Sequence, residues 1–351
     1  MGPYRYPATR SIEHSETETI THLSVEPRRI LLVSNLDATF VRNDFQVLAG
    51  LGDFQFLLYR GRISFAKLIL SVFRASAIVC WFVLGYATTA VALGQLLRKP
   101  VIVIAGGWDV ASDPEIGYGA LLRRGRTWKT RFALRHATAV LAVSEAIGQE
   151  VLKCSGRSAT IVHNGIDHQR FRPGSGPRVA QVLTVAGVDS QVRFVTKGVD
   201  VLLEIAAVTP DVEFHLVGWN SAEWGRQLAQ LAPKNLHVHG FQDREALLKF
   251  FQQSAVYLQP SKYESFGVSL AEAMACGCVP VASNRGALPE IVGDAGFLVE
   301  YGDIGTFART IREALHRPDL GERSRERIVS RLTLDARHRA LQTEVKRVLS
   351  R

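Results

Sequence analysis

"VYLQPSKYESFGVSLAEAMACGCVPVAS", residues 256–283, opens with an apolar run ending at Gln259 and closes with a second, Val279 to Ser283. Both runs read as short buried strands, and the Ala-, Leu- and Met-rich segment between them reads as a helix. A strand, a loop, a helix and a strand make the βαβ unit of a parallel sheet. Pro260 to Glu264 is the loop, and Ser265 is the expected helix cap.

The same alternation runs along the chain. Strand-like runs stand at 30–34, 54–58, 77–82, 101–105, 139–143 and 159–163, then at 181–185, 213–217, 236–240, 255–259, 279–283 and 296–299. Helical stretches separate most of them. The 351 residues exceed one ordinary core. The expected architecture is therefore α/β, with two doubly wound parallel-sheet (Rossmann-like) domains facing across a cleft. Residues 1–28 read as a polar tail, 29–172 as the N-terminal domain and 173–330 as the C-terminal domain. Residues 331–351 read as a helix that packs back on the first domain. The Pro- and Gly-rich "HQRFRPGSGPRVA" (168–180) is the linker. Ligands of such sheets bind at the carboxyl ends of the strands.

Composition is ordinary for a globular chain, 47% hydrophobic and 21% charged. The net charge of +9 is unevenly placed. Lys+Arg minus Asp+Glu is 22 − 13 = +9 over residues 1–180 and 20 − 20 = 0 over 181–351. Six bases fall between Arg123 and Arg135, and no acid lies between Glu115 and Glu145. Such a stripe suits an anionic partner, a lipid surface or lipid pyrophosphate before nucleic acid, because no aromatic-interleaved motif accompanies it. The uncharged stretch Ala75 to Leu97 is long enough to span a bilayer. Its β-branched start and the break at Gly85 instead predict a buried strand and a helix. No signal peptide is read at the start. The four cysteines are expected to be reduced, buried thiols in a cytoplasmic protein, with no metal site.

Glu264 and Glu272 have seven residues between them. With a helix beginning near Ser265, they stand roughly 12 Å apart along the axis, too far to share a metal or a proton. The amides of Phe266, Gly267 and Val268 lie between them at the positive end of the helix, where an anion binds. Two hydroxyl-binding carboxylates flanking an anion site describe a nucleotide sugar.

These residues resemble the retaining glycosyltransferases of family 4, which have the two-domain fold GT-B. Two glutamates seven residues apart mark that family. "GALPEIV" (286–292), "VHNGIDHQRFRP" (162–173), "TKGVDVLLEIA" (196–206) and "VSEAI" (143–147) are similar to it as well. The resemblance covers about residues 28–330, more strongly in the second half. It implies that Glu272 binds the ribose hydroxyls and Glu264 those of the transferred sugar. Phe266, Gly267, Val268 and Ser269 would meet donor phosphate or sugar. Lys197 and an arginine would stabilise the diphosphate leaving group. Phe241 and Gln242 would border the base.

The chain departs from the family at three places. Val188 follows Gly187 where an arginine is usual, so Arg193 is the substitute candidate. A glycine pair of the first strand–helix loop is missing, and Asn35 to Phe40 is the expected replacement. The usual His-Gly-x-Asp reads "GGWD", with Gly106 in the histidine position and Asp109 kept as a catalytic candidate. The resemblance implies a metal-independent hexosyltransferase with no cofactor, using a UDP- or GDP-sugar and a glycan or lipid-linked acceptor. It would be cytoplasmic, with peripheral contact at the inner membrane face and no nucleic-acid partner. A sugar-nucleotide epimerase, a glycan phosphorylase and a non-catalytic partner subunit remain alternatives at this level.

Overall fold

The computed structural model describes residues 29–219 and 221–350; the expected tail, 1–28, lies outside the described residues. Two six-stranded parallel sheets form the molecule. The first is built from β1 Ile30–Ser34, α1 Thr39–Ala49, β2 Phe54–Leu58, α2 Gly61–Arg74, β3 Ala77–Trp81, α3 Gly85–Leu96, β4 Val101–Ala105, α4 Arg124–His136, β5 Ala139–Ala142, α5 Glu145–Ser155 and β6 Thr160–Ile161, in the order β2-β1-β3-β4-β5-β6. The second contains β7 Val179–Val188, α6 Gln191–Thr196, α7 Val199–Val208, β8 Glu213–Trp219, α8 Ala222–Leu231, β9 Leu236–Gly240, α9 Arg244–Gln253, β10 Ser254–Gln259, α10 Val268–Ala275, β11 Val279–Ser283, α11 Leu288–Val292, β12 Phe297–Val299, α12 Ile304–Leu315 and α13 Pro318–Arg331, in the order β12-β11-β10-β7-β8-β9.

All pairings in both sheets are parallel. Every residue of β1, β3 and β4 is buried, as helices on both faces require. In the first sheet α2, α3, α4 and α5 pack in sequence, and α1 packs against the last helix. The stretch Ala75 to Leu97 divides into β3 and α3, and among the described residues no helix is long and apolar enough to cross a membrane. The four cysteines are free and buried.

The last helix, α14 Leu334–Leu349, returns to the first domain. Ile166 and the 332–334 segment exchange backbone hydrogen bonds, and Gly165 lets the two backbones cross: a Cβ there would stand 2.7 Å from the Leu334 Cα. The Arg337 guanidinium donates to both Asp44 oxygens at 2.7 and 2.6 Å and to the carbonyls of Val162 and His163. Trp81 Nε1 also donates to Asp44, at 2.8 Å. Both charges are buried and fully hydrogen-bonded, the condition under which a buried pair is tolerated.

Candidate active site

The loop from Pro260 to Phe266 lies at the carboxyl edge of the second sheet, between β10 and α10. It is sewn to the α6–α7 junction, where the amides of Lys262 and Tyr263 donate to the Thr196 carbonyl. Gly198, at φ +65°, makes the junction tight, since a Cβ there would meet the Pro260 oxygen at 1.8 Å. That junction carries Lys197. Its Nζ stands 2.7 Å from Glu264 Oε2, which also accepts from Gln259 Nε2 at 2.6 Å. Glu264 Oε1 accepts the Ser265 amide at 3.1 Å. From the far side Gly286, at φ +55°, brings its backbone against Glu264, and Ala287 N–H donates to the Glu264 carbonyl at 3.0 Å. Burial pulls the Glu264 carboxyl upward in pKa. The Lys197 charge and the amides of Phe266 and Ser265 outweigh that, so it titrates below its ordinary value.

The expected cap at Ser265 is not what forms. The amides of Ser265 and Phe266 turn to the Glu264 carboxylate instead, and the chain passes through Gly267 at φ +90° before α10 begins at Val268. Glu272 therefore stands about one turn inside the helix, roughly 6 Å along its axis, rather than two turns. The Phe266 side chain is core. Val268 and Ser269 occupy the first turn.

The first domain closes over this loop. Gly107, at φ +125°, approaches so closely that a Cβ would stand 1.8 Å from Ser265 Oγ. Ser144 caps α5 and donates to the Ser265 carbonyl at 2.7 Å. Glu290 accepts from the Glu145 amide at 2.9 Å and contacts His163. Tyr118 lies against Tyr263, with ring centroids 4.9 Å apart, and Lys262 pairs with Glu115 at 3.0 Å. Asp109, the catalytic candidate of the first domain, holds a turn at this closure. It is fully buried and accepts from the amides of Val83, Gly107 and Gly106 at 2.7, 2.8 and 3.1 Å, which fixes the Gly106-Gly107 turn. The space of a side chain at 106 is taken by Phe82, whose Cε1 would lie 2.3 Å from such a Cβ.

Glu272 faces a cavity of about 440 Å³ between the domains. Asp37, Phe40, Asn43, Asn164, Arg170 and Arg244 line it, so residues 37–40 of the first domain share this cavity with Glu272. Glu272 is 8% exposed, and burial pushes its carboxyl up to about 7. Arg244 at 3.9 Å and Arg170 oppose that shift; Asp167 adds to it. Burial prevails because the Arg244 guanidinium is half exposed and only grazes the carboxylate. Asn164 Oδ1, Arg170 Nε, Gln259 Oε1 and the Tyr263 hydroxyl are buried with no hydrogen-bond partner among the described residues. Unsatisfied polar atoms beside two carboxylates and cations fit a hydroxyl-rich, anionic ligand. A larger cavity, about 1040 Å³, lies at the opposite, amino edge of the second sheet between Ala180, Ala255 and Val279, away from these groups.

Two profiles match the chain: "Glycosyl transferases group 1" over residues 190–331 and "Glycosyltransferase Family 4" over residues 37–170. Between them the two matches span most of the chain, which is similar to the family 4 glycosyltransferases in both halves. The D-inositol 3-phosphate glycosyltransferase of Mycolicibacterium smegmatis is 35% identical over 172 residues, 45% of this chain and 40% of that protein. The alpha-maltose-1-phosphate synthase of the same organism is 31% identical over 259 residues, 66% of this chain and 62% of that protein. The chain thus spans about half the length of the curated relatives it matches. Among solved structures, sucrose-phosphate synthase from Thermosynechococcus elongatus superposes with a TM-score of 0.73 at 19% identity, covering 92% of this chain and 99% of the other. Anabaena HepE in complex with UDP-glucose gives 0.70 at 15%, covering 91% and 99%. The fold is GT-B.

In this family 4-like chain the structure gathers Glu264, Lys197, Gly267 and Val268 around one loop–helix corner, with Glu272 a turn deeper. Arg193 stands one turn before Lys197 on α6, near enough to Tyr118 to oppose the rise in that hydroxyl's pKa caused by its burial. Phe241 is exposed at the end of β9, and Gln242 follows it toward Arg244. The sequence reading overlooked Gln259, Arg244, Arg170, Tyr118 and Ser144. Gln259 was findable as the polar end of an apolar strand, and Arg170 as part of "HNGIDHQRF". Tyr118 carries no local signal, because its partner lies more than a hundred residues away; Ser144 lies in "VSEAI", but its partner Ser265 is equally remote in sequence.

Proposed function

We propose that this chain transfers a hexosyl group from a UDP- or GDP-sugar to a hydroxyl of a glycan or lipid-linked acceptor, with retention at the anomeric carbon and without a metal or cofactor. The observation that carries the reading is the pairing of Lys197 with Glu264 beside the buried Glu272, in a cleft walled by both domains. Glu272 and the partnerless Asn164 oxygen offer acceptors to ribose hydroxyls. Glu264 keeps its charge and accepts from the hydroxyls of the transferred sugar. Lys197, with Arg193 a turn away, supplies fixed positive charge where the departing diphosphate becomes negative.

Both Glu264 oxygens are already held, by Lys197, Gln259 and the Ser265 amide, so this carboxylate is placed to bind rather than to attack. Retention then follows from acceptor attack on the same face that the diphosphate leaves, with a leaving phosphate oxygen taking the acceptor proton. The similarly folded HepE, which is in complex with UDP-glucose, supports a nucleotide donor. The basic excess of the first half supports an acceptor held at an anionic surface. The test is diphosphate release with a UDP- or GDP-sugar and an acceptor panel, followed by NMR of the product anomer. A product of the donor's configuration supports the reading; inversion contradicts it.

A further inference from the structure

At position 106 the first domain offers the cleft no side chain. The residue is glycine, Phe82 fills the space beside it, and the Asp109 carboxyl is spent on three backbone amides. Another element of that domain reaches the same corner. The loop 113–118 closes on itself through paired backbone bonds, Asp113 N–H to the Tyr118 carbonyl at 2.8 Å and Tyr118 N–H to the Asp113 carbonyl at 2.9 Å. Asp113 Oδ1 accepts the Glu115 amide at 3.1 Å. Gly119, at φ +116°, carries the chain past Ala111, where a Cβ would stand 2.1 Å from the Ala111 oxygen. Glu115 then pins the loop to Lys262 of the second domain at 3.0 Å.

The residue this loop presents is Tyr118. Its ring packs on Tyr263, the residue before Glu264, with centroids 4.9 Å apart, and it is 8% exposed. Burial pushes its hydroxyl up to about 12; the Glu264 charge adds to that rise and the Arg193 charge opposes it. The hydroxyl therefore lies within reach of both charges, keeps its proton at neutral pH and is a hydrogen-bond donor. Among the described residues it has no hydrogen-bond partner. A tyrosine hydroxyl shielded from solvent ordinarily finds one.

We infer that Tyr118 is a specificity-determining residue of the donor site, its hydroxyl hydrogen-bonding one hydroxyl of the transferred sugar from the first-domain side of the cleft. The inference rests on the transfer reading and deepens it. Tyr118 and Glu264 belong to different domains, so the bond exists only when the two are closed on each other. A site built to hydrogen-bond a substrate hydroxyl rejects the analogue that lacks it.

The experiment is diphosphate release by wild type and Tyr118→Phe, with the preferred nucleotide sugar and with its monodeoxy analogues, one for each sugar hydroxyl. The phenylalanine keeps the ring on Tyr263 and removes only the oxygen. It should lower kcat/KM for the full sugar about tenfold and leave kcat/KM unchanged for one monodeoxy sugar, the one without the partner of Tyr118. Melting temperature and affinity for the free nucleoside diphosphate should match wild type. A variant with wild-type kcat/KM for the full sugar would overturn the assignment, as would an equal loss with every analogue. A loss accompanied by weaker nucleoside diphosphate binding would overturn it too, because it would place Tyr118 in the packing of the loop. Failure of wild type to release diphosphate from any nucleotide sugar would contradict the transfer reading itself, whereas an active wild type with an indistinguishable variant contradicts this inference alone.

Discussion

Lys197 Nζ lies 2.7 Å from Glu264 Oε2, joining the end of α6 to the loop before α10. Neither group is on a regular element, and both are largely shielded from solvent. A fixed cation and carboxylate at a helix N-terminus form a site already organised for a charged leaving group. Lys197→Ala is expected to lower kcat about 10²–10³-fold, while Lys197→Arg keeps part of it. Steady-state diphosphate release measures both; an alanine variant with wild-type kcat would remove the lysine from the chemistry.

Phe82 and Gly106 explain why the family histidine is absent. Phe82 sits at φ +66° and packs against Trp81 and Phe40, at ring distances of 5.4 and 6.3 Å, with its ring filling the space beside position 106. Gly106→His should therefore destabilise by about 1–3 kcal/mol, and Phe82→Ala in the same chain should recover part of the loss. Urea melts of the single and double variants check this. Additive losses would mean that the two positions do not compete for space.

Arg337 and Asp44 tie α14 to the first domain. Removing one partner of a buried pair leaves a stranded charge, which costs about 3–5 kcal/mol. Asp44→Ala and Arg337→Ala should each show that loss in urea unfolding. The double variant should fall well short of their sum, since neither charge is then stranded.

Glu272 makes stability depend on pH. Its carboxyl rises from 4.5 to about 7 on folding, chiefly through burial. The folded chain therefore holds a proton that the unfolded chain releases. The stability this group contributes is complete below about pH 4.5 and is lost as pH rises through 7. Glu272→Gln should remove roughly 2–3 kcal/mol of the change in unfolding free energy between pH 4.5 and 8. Parallel pH profiles for the variant and wild type would refute the assignment.

The regular part of the fold was legible because parallel strands buried on both faces leave unbroken apolar runs. All twelve expected runs carry strands, from Ile30 to Val299. One edge was less legible: β6 keeps only Thr160 and Ile161 of the expected run 159–163 and pairs with β5 alone. Glu264 and Glu272 were readable from their spacing, whereas the Ser265 cap was not. Sequence shows that a serine could cap, but not that Glu264 would take its amide and send the chain through Gly267. Asp109 stood out as the acid of "GGWD", kept from the family pattern, and its full burial could be seen only once Val83 was folded against it. The closing contacts, Gly107 on Ser265 and Ser144 on its carbonyl, join opposite halves of the chain and leave no local pattern.

The most direct measurement of the central claim is thermal shift of wild type and Glu272→Ala across UDP-, GDP- and ADP-sugars. At ligand about 100 times Kd, binding adds about 2.7 kcal/mol of stability, enough to raise the melting temperature clearly. The predicted result is stabilisation by UDP- or GDP-sugars in wild type and its loss in Glu272→Ala. Stabilisation that survives in the variant, or no response of wild type to any nucleotide sugar, would contradict a donor site at Glu272.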